Sequence, residues 1–115
     1  MAQPLPDAFV RLPVAHRALH DAAAGRPENS LAAVRAAVQA GYAIEIDVQP
    51  SRDGVPMVFH DYHLFRLTGV AGAVRSRAAA ELGRLKLKGS VEGVPTPAQV
   101  LAEGAAEQRR HTHRE

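Results

Sequence analysis

Ala43-Ile44-Glu45-Ile46-Asp47-Val48 places two acidic side chains inside an apolar run. Side chains in a β-strand alternate faces with period two, so Glu45 and Asp47 point one way while Ile44, Ile46 and Val48 fill the other. A strand over residues 43–48 with one wholly aliphatic face suits a parallel sheet covered by helices. Two anions side by side call for a cation, and the plainer alternative is a solvated strand face.

Working upstream, residues 12–16 (Leu-Pro-Val-Ala-His) read as a short buried strand that ends at His16 and is followed by Arg17. Residues 19–27 carry the Asp, Gly and Arg of a loop. Asn29 or Ser30 caps a helix whose apolar positions Leu31, Val34 and Val38 recur at helical spacing, and Gly41 stops it. Downstream, residues 49–54 form a turn in which Gly54 is free to take positive φ. Residues 56–60 make a third strand, with Val58 and His60 on one face and Met57 and Phe59 on the other. The signals weaken after it: residues 78–85 offer one or two helical turns, and Thr96 with Pro97 opens a helix through Leu101. Past Leu101 the only apolar side chains are alanines, so a domain over 1–104 is expected, followed by a disordered tail over 105–115.

Composition bounds what such a chain can do. With 115 residues, 46% hydrophobic and 23% charged, it is globular in class, but only 4% aromatic, so large core anchors are scarce. The net charge of +2 is spread along the chain, which argues against nucleic-acid binding. There is no cysteine, hence no disulfide, thiolate metal site or thiol nucleophile. No run approaches the ~20 apolar residues of a membrane span, and the first eleven residues lack a signal-peptide pattern. A cytoplasmic location is the expectation.

Three strand ends thus present His16, Glu45 with Asp47, and His60, and in a parallel α/β arrangement such ends gather on one rim. Carboxylate oxygens suit Mg²⁺ or Ca²⁺, ions that pair with phosphate oxygens. Histidines that titrate near neutrality serve as general acid and base, and the guanidinium of Arg17 has the fork that grips a phosphate. Each residue alone has a blander explanation. His16 or His60 could be a hydrogen-bonded structural residue, Arg17 a surface charge, Asp61 a turn former, and Glu28 an acid placed at a helix start.

Taken in order, His16-Arg17, Pro27-Glu28-Asn29, Glu45-Ile46-Asp47, Asp53-Gly54 and His60-Asp61 resemble the signature of the glycerophosphodiester phosphodiesterase family. The resemblance implies the N-terminal half of a TIM (β/α) barrel, truncated after about three β/α units. It implies His16 and His60 as catalytic residues, Arg17 on the substrate phosphate, Glu45 and Asp47 as ligands of a divalent metal (Mg²⁺ or Ca²⁺), and Glu28 and Asp61 in support. The implied reaction is metal-assisted hydrolysis of a small-molecule glycerophosphodiester to an alcohol and glycerol 3-phosphate.

Two departures stand out. Ala18 follows His-Arg where the family has Gly, a mild change if φ there is negative. Residues 94–101 resemble the helix before the third barrel strand, yet no Ile-Glu-Ile-Lys-like strand with its further metal ligand follows, so weak turnover is expected. The alternatives are a non-catalytic half-barrel that binds phosphate or cations, and a fragment that folds by self-association through its open sheet edges.

Overall fold

The structure is a computed structural model; it describes residues 14–18, 20–21 and 25–114, with side chains of the helices and strands from Arg17 through Arg110. Strand β1 (Val14–His16) lies parallel to β2 (Ala43–Glu45), pairing Val14 with Ala43 and His16 with Glu45. The crossover between them contains helix α1 (Leu31–Gln39), so one βαβ unit is complete. The remaining strands form a separate hairpin: β3 (Val48–Pro50) runs antiparallel to β4 (Pro56–Val58).

The expected strand over 43–48 is therefore split, because the backbone leaves β2 at Ile46-Asp47 and the Asp47 carbonyl accepts from the Phe59 N–H at 3.0 Å. The third strand ends at Val58 and belongs to the hairpin, not to the parallel pair. Its expected two-faced pattern holds for the three residues that are buried: Met57 and Phe59 face one apolar cluster and Val58 the other, so both faces of this strand are covered.

Local chemistry explains α1. The Ser30 hydroxyl accepts from the Ala33 N–H at 3.1 Å, and the Glu92 carboxylate accepts from the N–H groups of Leu31 and Ala32 at 2.8 and 3.1 Å. The helix ends in a Schellman motif: Gly41, at φ 76°, donates to the Val38 carbonyl and Tyr42 to that of Ala37. Its buried residues are Ala33, Val34 and Ala37, which let a second long helix approach closely. That helix, α4 (Pro97–Arg114), opens on a capping box in which Thr96 and Gln99 exchange backbone-to-side-chain bonds. Gly104 faces Val34 where the two helices meet.

Two apolar clusters hold the parts together. Ala18, Ala33, Val34, Val58 and Val100 fill the space between the βαβ unit and α4. Met57, Phe59, Leu64, Val74, Leu82, Leu87 and Val94 order the long stretch after the hairpin, which carries the short helices α2 (Phe65–Thr68) and α3 (Ala79–Leu82). In place of the tail expected over 105–115, α4 continues without a break to Arg114. Polar docking accounts for it: Glu107, 2% exposed, accepts from Gln39 on α1 at 2.8 Å and from Arg110 one turn on.

Candidate active site

The end of β2, the residues after β1 and the segment after β4 converge on one side of the molecule. Arg17 leaves β1 with φ 54° and Ala18 follows at 61°; Asn29, which donates to the Arg17 carbonyl at 2.8 Å, has φ 59°. Non-glycine residues with positive φ are costly, and among the described residues these are all there are. Their clustering marks a strained turn held against the strand end, since the Ala18 N–H donates to the Glu45 carbonyl at 3.0 Å. The expectation that Ala18 is a mild departure is thereby corrected. At φ 61° a Cβ costs about 1–2 kcal/mol, which a glycine would not incur.

The acidic residues are not equivalent. Glu45 is exposed at the end of β2. Asp47, half-buried, accepts from Asn29 Nδ2 at 3.2 Å and lies 3.7 Å from Arg17 Nε. Glu28, 7% exposed, accepts from Arg17 Nη1 at 3.1 Å and from both terminal nitrogens of Arg66 at 2.8 and 2.9 Å. Burial acts to raise the Glu28 pKa, but the bonds and charges of Arg66 and Arg17 outweigh it and hold the carboxyl below its ordinary value. A carboxylate so engaged serves as the counter-ion that joins two arginines. The Glu28-Asn29 pair therefore does more than start a helix.

His60 stands beyond β4, 41% exposed, with Nδ1 2.8 Å from Asp61 Oδ1. The same carboxylate accepts from Arg66 Nε and Nη2 at 2.8 and 3.0 Å, and that bonding lowers its pKa to about 2. Ionised at neutral pH, that carboxylate only accepts, so a neutral His60 ring paired with it is the Nδ1–H form, in which Nε2 carries no proton. The backbone beneath is pinned by Gln49, whose Nε2 donates to the carbonyls of Phe59, His60 and Asp61. Asp47, His60 and Asp61 line one open cavity of about 590 Å³, together with Tyr62, His63 and Arg75.

The structure thus brings Arg17, Glu28, Asp47, His60 and Asp61 into one neighbourhood. Backbone pairing sets His16 beside Glu45, and the side chain of His16 lies outside the described residues. Arg66 and Gln49 are site residues the sequence did not reveal, because each works through contacts that no local periodicity encodes. In the sequence Asn29 reads as part of a helix start; its grip on Asp47 comes from the fold.

A divalent cation fits the chemistry of the donors, since Glu45 and Asp47 offer hard oxygens and the buried Asn29 Oδ1 has no hydrogen-bond partner. Among the described residues, no group of three or more His, Cys, Asp or Glu is gathered closely enough to hold one alone.

Comparison with known proteins sets this geometry in context. Residues 16–114 match the model of the glycerophosphoryl diester phosphodiesterase family. Glycerophosphodiester phosphodiesterase 1 of Mus musculus is 36% identical over 100 residues, covering 78% of this chain and 29% of the relative. An Oleispira antarctica phosphodiesterase, solved in complex with the product sn-glycerol-3-phosphate, superposes with a TM-score of 0.73 at 33% identity, over 87% of this chain and 43% of its own. The glycerophosphodiester phosphodiesterase of Agrobacterium tumefaciens gives 0.72 at 33% identity, over 84% and 43%. The chain spans less than half the length of these solved relatives and less than a third of the curated one.

Proposed function

The chain belongs to the glycerophosphoryl diester phosphodiesterase family, and from that premise we propose that its site takes part in hydrolysis of a glycerophosphodiester to an alcohol and glycerol 3-phosphate. Its fold is a part of that family's TIM barrel. The observation that carries the reading is the shared cavity of Asp47, His60 and Asp61, with Arg17 beside Asp47. An anionic phosphodiester entering there meets a guanidinium and an imidazole at once.

In this proposal Arg17 orients the phosphate through its planar fork. The histidines, His60 through its bare Nε2 and His16 from the end of β1, share proton transfer. One takes a proton from the attacking hydroxyl, of water or of the neighbouring glycerol carbon, and the other gives one to the departing alkoxide. Glu28 and Asp61 support these groups. Glu45 and Asp47 would hold Mg²⁺ or Ca²⁺, which when bound supplies charge stabilisation at the phosphoryl oxygens. Such ions take six or more oxygen ligands, so two carboxylates bind weakly and turnover is expected to be low.

The test is release of glycerol 3-phosphate from a glycerophosphodiester with added Mg²⁺ or Ca²⁺, for the parent chain, His16→Ala, His60→Ala and Glu45→Gln/Asp47→Asn. Metal-dependent turnover lost in all three variants supports the proposal; turnover that persists in excess chelator refutes the metal assignment. A second reading, a non-catalytic binder of phosphate or cations, is favoured by the sparse ligand set and predicts calorimetric cation binding without turnover.

Self-association has its own observation, an apolar groove of Val38, Tyr42, Ile44, Ile46, Val100 and Leu101 beside β2, and light scattering decides it. No helix among the described residues is long and apolar enough to cross a membrane, and a cytoplasmic address is part of the proposal.

A further inference from the structure

We propose that Arg66 is a positioning residue for this site: by gripping Asp61 and Glu28 together it sets the tautomer of His60 on one side and the placement of Arg17 on the other. The inference deepens the hydrolase reading and rests on it for its functional meaning. Arg66 makes four hydrogen bonds to two carboxylates, Nε and Nη2 to Asp61 and Nη1 and Nη2 to Glu28, at 2.8–3.0 Å. Beyond Glu28 the chain of contacts continues to Arg17 and then to Asp47 and Asn29. One guanidinium therefore bridges the residue proposed for proton transfer and the residues proposed for phosphate and cation.

The local fold supports this role. Arg66 sits in α2, whose first turn is anchored by fully buried Leu64; the Leu64 N–H donates to the Gly72 carbonyl at 2.9 Å, and its own carbonyl accepts from Thr68. Gly69, at φ 75°, closes the helix after one turn. The guanidinium is thereby aimed back over His60-Asp61 by a short rigid element. Arg is the suitable residue, because only a planar fork meets two carboxylates at four donor directions; a lysine ammonium is a single point.

Holding Asp61 matters because an exposed aspartate beside a histidine otherwise rotates freely. Clamped, its Oδ1 stays opposite His60 Nδ1 and selects the Nδ1–H form, which leaves Nε2 as the acceptor facing the cavity. Free imidazole favours the opposite tautomer, so the clamp leaves a spectroscopic trace that mere packing would not.

The experiment is ¹⁵N NMR of the histidine ring nitrogens in the intact chain, at a pH where His60 is neutral, for the parent, Arg66→Gln and Arg66→Lys, with a His60→Gln spectrum for assignment. The parent is expected to carry the proton on Nδ1. Both Arg66 variants are expected to shift His60 toward Nε2–H, and where turnover is measurable kcat falls about 10²-fold as orientation is lost, with KM raised as Arg17 loses its placement. A parent His60 protonated on Nε2 overturns the proposal with no variant needed, and so does an unchanged tautomer in a folded Arg66→Lys. Absence of turnover in the parent sinks the hydrolase reading alone, since the tautomer is read without substrate.

Discussion

Deleting residues 105–115 separates two accounts of the C-terminal segment, and the structure supplies the magnitude. Residues 105–114 are the last ten of the 18 in α4. Their main tie to the rest of the molecule is Glu107, 2% exposed, which accepts from Gln39 at 2.8 Å. A hydrogen bond to a charged group contributes about 1.5–3 kcal/mol net. Deletion removes the buried carboxylate together with Arg110, and exposed Gln39 returns to water, so the buried charge leaves with the segment. The net cost is then at the low end, about 1–2 kcal/mol. At about 4 °C per kcal/mol for a domain of this size, the melting temperature should fall by about 4–8 °C, with a clear loss of helical circular dichroism. Glu107→Ala leaves the helix but removes the tie, and should account for most of the fall in melting temperature with little loss of helix. A deletion that leaves both melting temperature and helical signal unchanged would refute the docked helix and restore the disordered tail that composition suggests.

Two further outcomes are expected. Gly93→Ala should destabilise by about 3 kcal/mol or more, because a Cβ there overlaps the Gly83 carbonyl, a backbone group that cannot swing aside; urea titration reads this, and a loss below 1 kcal/mol contradicts the close approach. Acid unfolding should show the Arg66 clamp. Arg66 lowers the Asp61 carboxyl to about 2 in the folded chain, against ~3.9 unfolded, so its stabilisation is present above pH 4 and is lost as pH falls toward 2. Glu28, also lowered, adds in the same direction. Stability plotted against pH should therefore drop over that window, and the drop should be shallower in Arg66→Gln; parallel curves would mean that Asp61 gains nothing from its arginine.

What could be read from the sequence was chemistry that operates within a few residues. Ser30 and Gly41 bound α1 because caps satisfy backbone groups close by in the chain, and Thr96-Pro97 opens α4 for the same reason. The ordered set His16-Arg17, Glu28, Glu45, Asp47 and His60-Asp61 was legible as a resemblance to a family signature, whereas the antiparallel course of the strand before His60 was not, because the pairing of β3 with β4 is set between elements. The break at Ile46-Asp47 was not, because it is imposed by the Phe59 N–H claiming the Asp47 carbonyl from another element. Glu92 capping α1 across some 60 residues belongs to the same class.

Arg66 carries this reasoning furthest. By composition it is one more arginine, in a four-residue helix, 48% exposed in its side chain, with nothing in its spacing to set it apart. Its role comes from the two carboxylates it meets, one 38 residues upstream and one five residues back. The electrostatics also fit this arrangement better than any single pair would. Buried Glu28 is held ionised chiefly by Arg66, with Arg17 adding to it; Arg17 also lies within reach of Asp47, and the second guanidinium relieves that competition. Removing Arg66 should therefore be felt first at Arg17 and His60, the two groups a phosphodiester would touch, before it is felt in the apolar clusters.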